Sequence, residues 1–170
     1  SMGLKIDFMP GPKVFNPIRT RDDVEALGDR GVALEYVSES LRQIRQALDL
    51  RAGGGERKAL LGFAGAPWTM ACYAIDQSPY KHFEATQIIA NREPKTLHLL
   101  LEKLTSVTTD YLVMQFEAGA DAVQLFDSWA GNLSLSDYER FALPYTQQIF
   151  AELRRRGCLT ILYANGAGHL

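Results

Sequence analysis

Apolar positions along this chain follow two rhythms: long stretches in which they return every three or four residues, and short unbroken runs between them. From Val32 to Leu48, the residues Leu34, Val37, Leu41, Ile44 and Leu48 keep helical spacing, which predicts a helix with one packed face. A longer helix is predicted from Pro94, with Leu97, Leu100, Leu101, Leu104, Val107, Tyr111, Leu112 and Met114 in step until Gly119. Shorter helices are expected from Thr20 to about Leu27, around Trp68 to Ile75, over Tyr80 to Ala90, and from Ser136 to Arg156. The second rhythm marks strands. Ala59–Phe63, Asp121–Asp127 and Cys158–Tyr163 are short apolar runs between turn residues, as in strands buried within a parallel sheet. Leu4–Met9 reads as a strand or extended loop that Pro10-Gly11-Pro12 ends.

Local chemistry sharpens these boundaries. Thr20 before Asp22 and Asp23 resembles a helix cap with acids at the positive end of the dipole, and Ser136 with Glu139 reads as a capping box. Pro67 sits where a helix tolerates its missing donor, whereas Pro144 is expected to interrupt or kink the last helix. Strands separated by helices imply a parallel sheet, either doubly wound or closed as a barrel, and periodicity leaves both open. The chain ends on a glycine-rich turn directly after a strand, and Gly3–Phe8 reads as the middle of an element. Residues 1–170 are therefore expected to be a single-domain fragment, the central part of a longer protein.

Composition adds limits. With 170 residues and 46% hydrophobic residues, the chain can bury a sizeable core. The balance of 18 basic and 20 acidic residues offers no concentrated positive patch for nucleic acid. No apolar run approaches a bilayer span and no signal peptide leads the chain, so a soluble, cytoplasmic protein without a membrane partner is expected. Cys72 and Cys158 stand far apart, and reduced thiols are the simplest reading, with a disulfide as the alternative.

Candidate chemistry gathers at strand ends, where parallel α/β folds build ligand sites. One end reads Gly62-Phe63-Ala64-Gly65-Ala66-Pro67-Trp68-Thr69 with Tyr73 beyond it; another reads Leu125-Phe126-Asp127-Ser128-Trp129-Ala130-Gly131. Aromatic walls, glycines for close approach and the hydroxyls of Tyr73 and Ser128 suit a large flat ligand bearing carboxylates. Taken singly, each of these residues is more often plain core. Asp127 invites a general-acid role, but a strand-end aspartate also caps turns, and without a partner carboxylate the structural role is the better reading. His82, His98 and His169 lack metal-ligand spacing, so no metal is assigned. Gly53-Gly54-Gly55 precedes a strand and is a linker; Arg154-Arg155-Arg156 complements a helix dipole.

The wording of these segments carries more than their periodicity. Leu61-Gly-Phe-Ala-Gly-Ala-Pro-Trp-Thr69 with Tyr73, Gln124-Leu-Phe-Asp-Ser-Trp-Ala-Gly131 and Phe141-Ala-Leu-Pro-Tyr145 resemble the signatures of uroporphyrinogen decarboxylases, in family order across essentially the whole chain. The resemblance implies a (β/α)8 TIM barrel, here partial, that works as a homodimer. It implies removal of carboxylates from the four acetate side chains of uroporphyrinogen III, giving coproporphyrinogen III without metal or organic cofactor. Tyr73 matches the tyrosine that bonds near the family's catalytic aspartate, and Ser128 the serine that binds a substrate carboxylate. Phe63 and Phe126 match apolar walls of the tetrapyrrole cleft. The family's aspartate and arginines precede the segment present here and its histidine follows it, so the isolated chain is expected to be inactive. Asp76-Gln77-Ser78-Pro79 departs from the family's glycine-rich stretch.

Two rivals remain. A zinc-dependent, cobalamin-related methyltransferase of the same superfamily would need a His/Cys ligand set that this segment lacks. A non-catalytic barrel fragment would instead use its exposed edges and apolar faces for association.

Overall fold

The structure is a computed structural model describing residues 2–8, 11–28, 34–52, 55–77 and 83–170. In chain order the elements are β1 (Ile6–Asp7), β2 (Lys13–Val14), α1 (Arg21–Glu25), α2 (Glu35–Ala52), β3 (Leu61–Gly65), α3 (Pro67–Asp76), α4 (Glu84–Arg92), α5 (Pro94–Glu117), β4 (Ala122–Asp127), α6 (Leu135–Phe141), α7 (Leu143–Arg155) and β5 (Leu159–Ala164). A single 3-10 turn, Ala130–Asn132, lies between β4 and α6.

β3, β4 and β5 form a parallel sheet in sequential order, with Phe63 opposite Gln124 and Phe126 opposite Tyr163. One face is covered by α3, α5 and α7, where Ala64, Val123 and Leu125 pack against Leu112, Ile149 and Leu153. The opposite face is open: Leu61, Phe63, Leu159, Ile161 and Tyr163 are all exposed. Sequential parallel strands with every covering helix on one side are an arc of a (β/α)8 barrel wall, since a doubly wound sheet carries helices on both faces. A second core joins α3 to α6 around Trp68, Ile75, Phe83, Leu101 and Phe141.

Several boundaries differ from the sequence expectation, each for a local reason. β3 runs 61–65 rather than 59–63, because the backbone N–H of Leu60 is taken by the Asp121 carboxylate at 2.7 Å before the ladder begins. α2 continues to Ala52, past the expected end at Leu48. The capping box at Ser136 and Glu139 does not form: Ser134 is the cap, accepting from the N–H of Asp137 at 3.2 Å while its hydroxyl donates to that carboxylate at 2.7 Å. The expected interruption near Pro144 is a break at Ala142, leaving Pro144 in the first turn of α7. The helix foreseen over 80–90 occupies 84–92; residues 78–82, with His82 and half of the variant Asp76–Pro79 stretch, lie outside the described residues, as do Met9 and Pro10.

Asp76 explains part of that variant stretch. Phe83, at the N-terminus of α4, has no side chain able to cap, and the Asp76 carboxylate accepts instead from the N–H groups of Ala85 and Thr86, both at 3.0 Å, and from the Thr86 hydroxyl at 2.5 Å. The N-terminal segment closes the same C-terminal end of α3: Val14 N–H donates to Gln77 O at 2.9 Å and Ile18 N–H to Ala74 O at 3.0 Å. At the amino ends of the strands, buried Arg45 of α2 reaches Asp121 at 3.0 Å, Asp49 at 2.7 Å and the Lys58 carbonyl at 3.2 Å.

Candidate active site

The carboxyl ends of β3 and β4 meet in one hydrogen-bonded unit. Ala66 N–H donates to Phe126 O at 2.9 Å, extending the ladder by one residue before Pro67 turns the chain into α3. That turn aims the first residues of α3 at the end of β4. The Thr69 hydroxyl donates to Asp127 Oδ1 at 2.8 Å and accepts from the N–H of Trp129 at 3.3 Å. Trp68 Nε1 donates to the carbonyl of Trp129 at 3.2 Å. Thr69 and Asp127 are both buried, so this link is shielded from water.

From the other side, the end of β5 holds the same turn. Asn165 N–H donates to Asp127 O at 3.1 Å, Asn165 Nδ2 lies 3.4 Å from Ser128 O, and Gly131 N–H donates to Asn165 O at 3.0 Å. Gly131 is required by proximity: a Cβ there would sit 2.7 Å from the carbonyl oxygens of Asn165 and Gly166. Ser128 is thus carried on a turn fastened to both neighbouring strand ends.

Phe63, Phe126 and Tyr163 line the open face as a row across three strands, with ring centroids 5.9 Å apart for the first pair and 5.6 Å for the second. Tyr73 projects from α3 onto Trp129, centroids 6.2 Å apart, and Phe83 meets the same indole from another side at 4.7 Å. Trp129 therefore ties the element bearing Tyr73 to the turn bearing Ser128.

Burial pushes the Asp127 carboxyl up to about 6, although the hydrogen bonds from Thr69 and the Trp129 amide act in the opposite direction. Burial, reinforced by Asp127 and Asp76, also drives the Cys72 thiol well up, and Tyr138 is raised by burial and by Asp127. Both cysteines are free and buried. On the α5–α7 contact, His98 Nδ1 and the Tyr145 hydroxyl are 2.6 Å apart; burial first, then Arg140, lowers the His98 pKa, and burial lifts Tyr145 to about 12. A neutral imidazole accepting from the phenol satisfies both groups. Among the described residues no cluster of three or more His, Cys, Asp or Glu side chains is arranged to hold a metal ion.

The four residues singled out from sequence fall into two places. Phe63 and Phe126 stand on the open sheet face, while Tyr73 and Ser128 lie beside Trp129 at the carboxyl edge. Asp127 has the turn-holding contacts foreseen for it. Sequence reasoning missed Tyr163, Thr69 and Asn165 as parts of the site. Tyr163 is found only through its register with Phe126; Thr69 stands within a recognised motif, but its partner lies 58 residues away.

Comparison with known proteins agrees with this geometry. The family model described as Uroporphyrinogen decarboxylase (URO-D) matches residues 1–170. The chain is 40% identical over 169 residues to a uroporphyrinogen decarboxylase from Geobacter sp. (strain M21), covering 98% of this chain and 48% of that protein. It is 42% identical over 170 residues to one from Rhodococcus erythropolis (strain PR4 / NBRC 100887), covering 99% and 46%. The chain thus spans about half the length of these curated relatives. Among solved structures, a methyltransferase from Methanosarcina mazei superposes with a TM-score of 0.68 over 97% of this chain and 47% of that one, at 18% identity, a likeness of fold. The two signature motifs, joined at the carboxyl edge of a partial (β/α)8 barrel, and the match along the entire chain place it in the uroporphyrinogen decarboxylase family.

Proposed function

We propose that this chain forms the central part of a uroporphyrinogen decarboxylase, a carboxy-lyase that converts the four acetate side chains of uroporphyrinogen III to methyl groups, yielding coproporphyrinogen III. The observation that carries this reading is the docking of the two motifs through Thr69 and Asp127 beside an open aromatic row. In such a reaction a pyrrole carbon is protonated, and the acetate carboxyl leaves as carbon dioxide while its bonding electrons flow into that cation to give an exocyclic methylene. The methylene is protonated to a methyl group and the ring carbon gives up the proton it had taken, so that one net proton replaces each carboxylate. The protein must then hold a flat ring system and fix its carboxylates.

Phe63, Phe126 and Tyr163 span about 10 Å across three strands and offer the apolar wall, wide enough to face more than one pyrrole ring. Ser128 donates its hydroxyl to a substrate carboxylate. Tyr73 supports the catalytic carboxylate, which this reading assigns to a segment preceding the chain. The remaining strands of the barrel cover the open face, and the complete protein acts as a cytoplasmic homodimer with no metal or organic cofactor. No helix among the described residues is long and apolar enough to cross a membrane.

Anaerobic conversion of enzymatically generated uroporphyrinogen tests the reading in the full-length protein, in its Tyr73→Phe and Ser128→Ala variants, and in the isolated chain. Activity in the full-length protein, loss in both variants and silence of the isolated chain are expected. A full-length protein that leaves the substrate untouched overturns the decarboxylase reading, and an active isolated chain overturns the placement of the catalytic carboxylate outside it.

A further inference from the structure

We infer that Thr69 is a positioning residue for Ser128, acting with Asp127 through the Thr69 hydroxyl to fix the turn that presents Ser128 to a substrate carboxylate. Thr69 and Asp127 are 4% and 1% exposed, so neither reaches a ligand; what they touch is the turn itself. The Thr69 hydroxyl uses both of its capacities, donating to Asp127 on one side of Ser128 and accepting from the Trp129 N–H on the other. Ser128 is therefore bracketed by two contacts to a single oxygen atom. A hydroxyl is the smallest group with a donor and an acceptor on one atom, and valine, of nearly the same shape, has neither.

The arrangement goes further than a cap within one element, because the oxygen belongs to α3 and the turn follows β4. Displacing α3 displaces the turn, and Tyr73, one helical turn beyond Thr69, moves with it. Asn165 and Gly131 fasten the opposite side, so loss of the Thr69 hydroxyl frees one flank of the turn while the other stays in place. The expected consequence is a mobile Ser128 in a folded protein, with weaker substrate binding rather than an altered chemical step.

This inference rests on the decarboxylase reading, and a double-mutant cycle in the full-length protein separates the two. Thr69→Val, Thr69→Ser, Ser128→Ala and the double variant Thr69→Val/Ser128→Ala are compared by steady-state anaerobic decarboxylation, with KM and kcat read separately. Thr69→Val is expected to lower kcat/KM roughly tenfold, mainly through KM, as loss of a buried charge-assisted hydrogen bond allows. Thr69→Ser is expected to recover it to within about threefold, since the bracketing oxygen is kept. In the Ser128→Ala background Thr69→Val is expected to cost less than about twofold more, because there is no serine left to misplace. Equal losses with and without Ser128, or no loss in Thr69→Val, overturn the positioning role while leaving the decarboxylase reading intact; a wild-type protein inactive on uroporphyrinogen overturns both. Should Thr69→Val not fold, Thr69→Ala, which removes the hydroxyl without placing a methyl group against the carboxylate, takes its place under the same criteria.

Discussion

Thr69 and Asp127, 58 residues apart, share a 2.8 Å hydrogen bond within a buried site, which ties α3, the helix following β3, to the end of β4. The carboxylate cannot be exchanged for an apolar group without leaving the hydroxyl proton unbonded, and the hydroxyl cannot be removed without taking one hydrogen bond from a buried acid. The pair is therefore sensitive to charge.

That sensitivity has a sign. Burial raises Asp127 from an ordinary 3.8 to about 6, so between these values the folded protein holds a proton that the unfolded chain lacks. The contribution is fully present below the unfolded value and is lost as pH rises through the folded one. Asp127→Asn removes this group's titration and keeps an acceptor for Thr69. Moving from about pH 7.5 to about pH 4.5, wild type should gain on the order of 2 kcal/mol relative to the variant. Urea unfolding of both proteins at the two pH values measures it, and a constant difference would mean that Asp127 is an ordinary solvated acid.

Gln115 holds an edge that the sequence does not reveal. Its side chain accepts from the N–H of Phe63 and donates to the carbonyl of Phe63, both at 2.9 Å. The N–H of Ala66 faces β4, and alternation along a parallel strand turns the backbone groups of Phe63 toward the opposite, outer edge of β3. A glycine at 62 leaves room for this: a Cβ there would lie 2.8 Å from Gln115 Oε1. Gln115→Leu should cost about 1–3 kcal/mol in chemical denaturation and speed exchange of the Phe63 amide proton. Unchanged exchange would show that the amide pairing does not protect this edge.

The comparison of sequence with structure divides along physical lines. The helices of α5 and α2 and the three parallel strands were legible because burial on one or both faces writes a period into the residues themselves. The aromatic pair Phe63 and Phe126 was legible from motif wording. Tyr163 was not, since its place beside Phe126 depends on register between strands, which no local pattern encodes. Thr69 and Gln115 stayed hidden for the same reason: each is polar, buried and satisfied by a residue more than fifty positions away. Ser134 caps α6 where Ser136 was expected to, because the two serines are chemically equal candidates that no local pattern tells apart.

Stability and function are expected to separate at the two ends of the sheet. Arg45 lies at the amino ends of the strands, buried, with its guanidinium shared among Asp121, Asp49 and the Lys58 carbonyl. Arg45→Ala leaves Asp121 to the Leu60 N–H and the exposed Arg57, and about 3 kcal/mol of stability should be lost. KM for a ligand at the carboxyl edge should stay at the wild-type value while the protein remains folded, because barrel chemistry is built at that edge. Denaturant unfolding and steady-state kinetics on the same preparation check both halves, and a raised KM would show that the Arg45 cluster communicates with the site.

Gly131 makes the opposite case. A methyl group there would meet two carbonyl oxygens at 2.7 Å, both belonging to backbone that cannot rotate away. Either the turn or the end of β5 must shift, and both carry contacts that fix Ser128. Gly131→Ala should therefore reduce kcat/KM more than tenfold, and cost about 1–3 kcal/mol of stability, the usual range for overpacking. Adding Ser128→Ala to Gly131→Ala should cost less than Ser128→Ala does alone, since a displaced serine has little left to lose. Steady-state kinetics of the single and double variants decide it. If the two losses multiply, the turn tolerates the methyl group without moving Ser128, and the close approach at Gly131 serves the packing of β5 alone.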